Sequence, residues 1–190
     1  AFWLAAASRK GSALHVGGGR VYLCAMAALL LLAVPLCASR ISAGQPIGWF
    51  LAYVLLLTAT ACWTAWRSIR LRRDFARYVD RSYAGMALLN AGAGAAMFAA
   101  GLLYGRSLFM IFAVVGILGG LGMLRLRRRG PPDARWWLRE HIVGMTANAV
   151  ATHIAFLAIG LPALLPQVSG PALQQLAWLG PLAVALGARL

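Results

Sequence analysis

The sequence predicts an all-α protein, a polytopic transmembrane helical bundle that forms a single domain over residues 1–190. Three observations predict it. Hydrophobic residues make up 62% of the chain, where a soluble domain carries about 45–50%, and the mean hydropathy is +0.76. Charged residues are only 12% and gather in short clusters. The uncharged runs between the clusters each approach the ~20 residues that cross a bilayer as a helix.

The elements follow in order. AFWLAAASRKG reads as the last turns of a helix that begins before Ala1, a truncated N-terminal span. Its positive residues follow the apolar stretch, the reverse of a signal peptide. Gly17, Gly18, Gly19 and Arg20 read as a loop and an interfacial charge. Six complete spans are expected after it, at about 21–38, 47–66, 83–104, 107–124, 141–161 and 172–188. Pro46 sits at the start of the second, where its missing N–H is tolerated. Pro181 should kink the last span or end it early. Trp66, Trp136 and Trp137 flank basic clusters as interfacial anchors.

The net charge is +14, from 18 Lys and Arg against 4 acids. On a soluble protein this would point to nucleic acid. Here no basic and aromatic surface is left for nucleic acid once the spans are removed. The basic residues instead alternate by connection. Arg9, Lys10 and Arg20 precede the first complete span, and Arg40 alone follows it. Residues 67–82 hold Arg67, Arg70, Arg72, Arg73, Arg77 and Arg81, and the next connection holds only Arg106. Residues 125–140 hold Arg125, Arg127, Arg128, Arg129, Arg135 and Arg139; none follows Leu161 until Arg189. The positive-inside rule puts residues 9–20, 67–82, 125–140 and the C-terminus in the cytoplasm of a bacterial inner-membrane protein. The run RSIRLRRDFARYVDRS extends the second or third helix past the bilayer, where its charges meet anionic lipid head groups or form a solvated face.

Spans three and four are rich in small residues: Gly85, Gly92 and Gly94, then Gly116, Gly119, Gly120 and Gly122. Small faces let membrane helices approach closely, in a tight bundle or at a subunit interface. Cys24, Cys37 and Cys62 form no C-x-x-C pair and read as small apolar core residues.

The candidate site is a polar stripe on the fifth span. At about 100° per residue, Met145, Asn148 and Thr152 fall within roughly 40° of His141. Polar groups in hydrocarbon face a bundle interior, a cavity or a partner. His15 lies at the same membrane side and would meet His141 if their helices pack. Imidazole and thioether are competent haem ligands, so His15 and His141, with Met145, are candidates for a metal or haem. His153 lies about 18 Å deeper than His141 and is rotated by about 120°, so it does not continue the stripe. Asn90 of span three and Asn148 lie at similar depth and would bond one another. Glu140, beside the stripe, would pair with Arg20 or Arg139 or accept a proton from His15. Gln174 and Gln175 read as solvated. No G-x-S-x-G, H-E-x-x-H or Walker sequence occurs, and the reading leans away from an enzyme. No acid lies inside a span, which speaks against a cation-coupled transporter.

Two short motifs carry a resemblance. The first is K-G-x-x-x-H-x-x-x-G-R-x-Y, at Lys10, Gly11, His15, Gly19, Arg20 and Tyr22, with Met26 following. The second is R-x-H-x-x-x-M followed by A-F-L, at Arg139, His141, Met145 and Ala155 to Leu157. Together they resemble an uncharacterised bacterial family of multi-span membrane proteins that pairs an early histidine with a later H-x-x-x-M helix. The resemblance implies the topology and the two histidines as site candidates, but no reaction. His153 departs from it, since a small or hydroxyl residue is usual there.

The leading expectation is a non-catalytic membrane subunit that packs against partner membrane proteins among membrane lipids. The second is a haem-, metal- or quinone-binding redox protein with its site at the cytoplasmic side. The third is a small-molecule transporter, whose midplane candidates are Asn90, Asn148, Thr152 and His153.

Overall fold

The computed structural model describes residues 1–167 and 170–187. It is all-helical, with no strand among the described residues. The elements are α1 (Phe2–Ala7), α2 (Ala13–Ser42), α3 (Pro46–Arg70), α4 (Phe75–Tyr78), α5 (Arg81–Leu103), α6 (Ser107–Arg129) and α7 (Trp136–Ala155). A π-helical turn, Phe156–Gly160, joins α7 to α8 (Leu161–Leu164), and α9 (Pro171–Gly187) follows. Among the described residues, 5 helices are long and apolar enough to cross a membrane: α2, α3, α5, α6 and the continuous run Trp136–Leu164. This is an integral membrane protein. The sixth expected span corresponds to α9, of 17 residues, and does not reach that length among the described residues. The Ala188 boundary, Arg189 and the C-terminus expected in the cytoplasm lie outside the described residues.

Several helices outrun their expected bounds. Gly17–Gly19, expected as a loop, lies inside α2, which starts at Ala13 with the Ser12 hydroxyl capping the His15 N–H at 3.2 Å. α1 packs on the middle glycine of the three: a Cβ on Gly18 would sit 3.4 Å from Ala5. α3 runs on to Arg70 and α6 to Arg129, since arginine is a good helix former and favours the negative end of the helix dipole. α9 continues past Pro181 to Gly187 rather than ending there. The connections α2–α3 and α5–α6 turn at Gly44 (φ +69°) and Gly105 (φ +61°), a left-handed backbone that glycine adopts without strain.

Small residues set the helix spacing, as bilayer helices gain little from apolar burial alone. A Cβ on Gly94 of α5 would lie 3.0 Å from the Ala113 carbonyl of α6, and one on Gly120 would strike the Ala87 carbonyl of α5. A Cβ on Gly144 of α7 would lie 2.8 Å from the Ala61 carbonyl of α3. Thus α3 is the central helix, with α2 and α7 on one side and the α5–α6 hairpin on another. At one end, Phe50 stacks on Phe109 at 4.9 Å and Trp178 of α9 closes the cluster. The opposite, basic end carries the arginine-rich connections.

Candidate functional site

The polar stripe of α7 faces the bundle interior, against α2 and α3. His141 Nδ1 lies 3.1 Å from the Ala65 carbonyl of α3. Asn148 is fully buried; its amide donates to the Gly144 carbonyl at 2.9 Å and its Oδ1 accepts from the Cys62 thiol at 3.0 Å. The Thr152 hydroxyl lies 2.7 Å from the Tyr22 phenol of α2, donates to the Asn148 carbonyl at 2.9 Å and sits 3.6 Å from Met26 sulfur. Met145 is half-buried on the same face.

His15 reaches the stripe's end from α2. Its Nδ1 lies 2.9 Å from the Ala5 carbonyl of α1. A carbonyl only accepts, so each Nδ1 carries a proton, and Nε2 is the ring nitrogen left to face a ligand. Anchoring one imidazole nitrogen on a carbonyl is how proteins orient the other towards a ligand.

The expected Asn90–Asn148 pair does not form. Asn90 of α5 donates to the Thr60 hydroxyl at 2.9 Å and to the Met86 carbonyl at 2.8 Å. Thr60 and Cys62 are two residues apart on α3 and therefore point about 160° apart around it. Each asparagine binds its own side of α3, which stands between them. His153 faces α1: its ring centroid is 5.5 Å from Trp3, and Nδ1 lies 2.7 Å from the Ala149 carbonyl. The four midplane residues therefore do not converge. Of the three cysteines, Cys37 is buried, Cys62 bonds Asn148, and Cys24 is exposed on the bundle's outer surface rather than in a core.

Glu140 has neither expected arginine partner. Its Oε2 accepts from the Tyr78 phenol at 2.8 Å and from the Tyr83 phenol at 3.4 Å. Arg139 instead binds Asp133 at 2.6 Å. This cluster, which the sequence does not announce, ties α4 and the head of α5 to α7, with Trp136 packed 4.8 Å from the Tyr78 ring. Burial first, and the neighbouring Glu140 carboxylate next, push the Tyr78 phenol far above its ordinary range. Arg67 fastens the same loop: it pairs with Asp80 at 2.7 Å, donates to the Tyr78 carbonyl at 3.2 Å and to the Arg77 carbonyl, and lies 4.9 Å over the Trp63 ring. Desolvation pushes the Asp80 carboxyl up, but the Ser82 hydroxyl, the Tyr83 N–H and Arg67 outweigh it and hold the group down at about 2.

Gln174 is not merely solvated. Pro162 has no N–H to offer the carbonyl four residues earlier, Ala158. Gln174 Nε2 of α9 donates to that carbonyl at 3.3 Å.

Among the described residues, no three or more His, Cys, Asp and Glu side chains cluster as a metal site. Comparison with family models, with curated proteins and with solved structures finds no match to this chain. Fold and site define a class, a multi-pass helical membrane protein with an interior polar seam.

Proposed function

We propose that this chain is a membrane-embedded ligand-binding protein whose ligand sits against the Nε2 atoms of His15 and His141. The observation that carries the reading is the pair of anchored imidazoles, each with Nδ1 on a backbone carbonyl of a neighbouring helix. Two imidazoles are too few to hold a bare metal ion in the usual four-ligand site. They suffice for a haem, which brings four ring nitrogens of its own, or for a quinol, whose hydroxyls donate to a bare Nε2. The resemblance of the K-G-x-x-x-H and H-x-x-x-M motifs to a membrane family supports the choice of these two histidines. The same reading places the protein in a bacterial cytoplasmic membrane, with six spans counting α9 and the basic end inside.

The test is a visible spectrum of the protein purified in mild detergent, oxidised and dithionite-reduced, with quinone extraction from the same sample. A Soret band that shifts on reduction and is lost in His15→Ala and His141→Ala is the expected result for haem. Extracted quinone that disappears in the same variants is the expected result for quinol. A featureless spectrum with no quinone overturns the proposal.

A second reading, a subunit docking on partner membrane proteins, is favoured by one observation. Gly85 and Gly92 of α5 have nothing within 4 Å of a Cβ, and Ala96 and Ala99 continue this exposed small-residue face. A monomer in mild detergent with no co-purifying protein removes that reading.

A further inference from the structure

A groove of about 340 Å³ runs between α2 and α3 on the outer surface of the bundle, apart from the histidine pair. Leu23, Cys24 and Ala27 form one wall and Ala59, Trp63 and Trp66 the other. Cys24, Ala27 and Trp66 are exposed, so the groove opens sideways, towards the bilayer. Two arginines stand at its basic end. Arg20 lies four residues before Cys24, one turn further along the same face of α2, and Arg70 lies four residues beyond Trp66 on α3. The Arg70 guanidinium is 5.7 Å from the Trp66 ring, so it lies along the groove wall.

Neither arginine has an ion-pair partner among the described residues. The chain has 4 acids, Asp74, Asp80, Asp133 and Glu140, and each is engaged elsewhere. Asp74 caps α4, Asp80 holds Arg67, Asp133 holds Arg139 and Glu140 holds the two phenols. An apolar slot facing lipid thus ends in two unneutralised guanidiniums beside an interfacial tryptophan.

We infer that this groove binds one anionic phospholipid, with an acyl chain between α2 and α3 and the phosphate on Arg20 and Arg70. Charge complementarity selects the occupant. Guanidinium groups match phosphate geometry, and an anionic head group adds no cation of its own, whereas a zwitterionic one does. The site is distinct from the histidine reading: its lining residue Cys62 touches the polar seam through Asn148, but neither His15 nor His141 lines the groove.

The test is tryptophan quenching by brominated lipid, since a brominated chain in the groove lies against Trp63 and Trp66. The full chain is reconstituted in phosphatidylcholine vesicles containing a fixed fraction of brominated phosphatidylglycerol or brominated phosphatidylcholine. Several-fold stronger quenching by the anionic lipid is expected. The preference falls to near parity in Arg20→Gln/Arg70→Gln, which removes the head-group site. It falls likewise in Ala27→Phe, which fills the groove from an exposed position. It persists in Arg128→Gln/Arg129→Gln, which removes equal charge at the end of α6. Equal quenching by both lipids in the unmodified protein overturns the inference. So does a preference that survives Ala27→Phe, or one that Arg128→Gln/Arg129→Gln abolishes as fully as the groove pair does.

Discussion

At the residue scale, the polar seam shows how a single period can be read and a cluster cannot. His141, Asn148 and Thr152 share a helix, so the 100° step places them on one face before any partner is known. Their partners, Ala65, Cys62 and Tyr22, come from other helices and carry no local mark. The Glu140 cluster is harder still, because Tyr78 and Tyr83 lie 62 and 57 residues away in the chain. A buried carboxylate oxygen deprived of a donor loses about 1–3 kcal/mol. Tyr78→Phe is therefore expected to lower thermal stability in detergent by that order, and Tyr83→Phe by less, since its bond is longer. Equal losses would show that ring packing, not the phenol, holds the loop. Asp80 supplies a pH test. Its carboxyl is held at about 2 in the folded chain and returns to about 3.9 on unfolding. The lowered group contributes stability that is complete above the unfolded value and is lost as pH falls towards 2. The gap in melting temperature between the protein and Asp80→Asn should hold steady above about pH 5 and close as the pH drops through 4 to 2.

At the element scale, the helices were legible as apolar runs and illegible at their ends. Hydropathy stops at the first charge, so the expected spans end at Trp66 and Leu124. Hydrogen bonding does not stop there, and the arginines that follow extend α3 and α6 by another turn or so. The triple glycine misleads in the opposite direction: a sequence that alone favours a loop is helical, with α1 packed on Gly18. Pro162 follows a π-helical turn, and an α9 glutamine donates to the Ala158 carbonyl within that turn, a contact no local sequence marks. This predicts a coupled pair. Gln174→Leu should destabilise the protein by about 1 kcal/mol, near the typical worth of an interhelical bond in a membrane. In a Pro162→Ala background the carbonyl regains its own N–H, and Gln174→Leu should then cost little. A thermal-denaturation double-mutant cycle measures the coupling, and additive losses would dissociate Gln174 from the proline.

At the scale of the whole molecule, the alternation of basic and neutral connections predicts orientation. With the basic end in the cytoplasm, Pro131→Cys should resist a membrane-impermeant maleimide applied to intact cells. Ala43→Cys and Pro166→Cys should react, once Cys24, Cys37 and Cys62 are replaced by alanine. The reverse pattern would invert the topology and place the histidine pair outside.

The sequence by itself determined that this is a multi-pass helical membrane protein, which helices carry polar faces and at which end the charge collects. These follow from local quantities: the length of an apolar run, the angular step of a helix and the count of arginines. Only the tertiary structure decided which faces meet. It set Asn90 and Asn148 on opposite sides of α3, gave Glu140 to two tyrosines, anchored both histidines on carbonyls, and left an apolar groove between α2 and α3. In a bilayer every apolar face is equally content against lipid or protein, so pairing rests on where backbones can approach and which buried polar groups find donors. Those are relations between distant residues, and no window of sequence contains them.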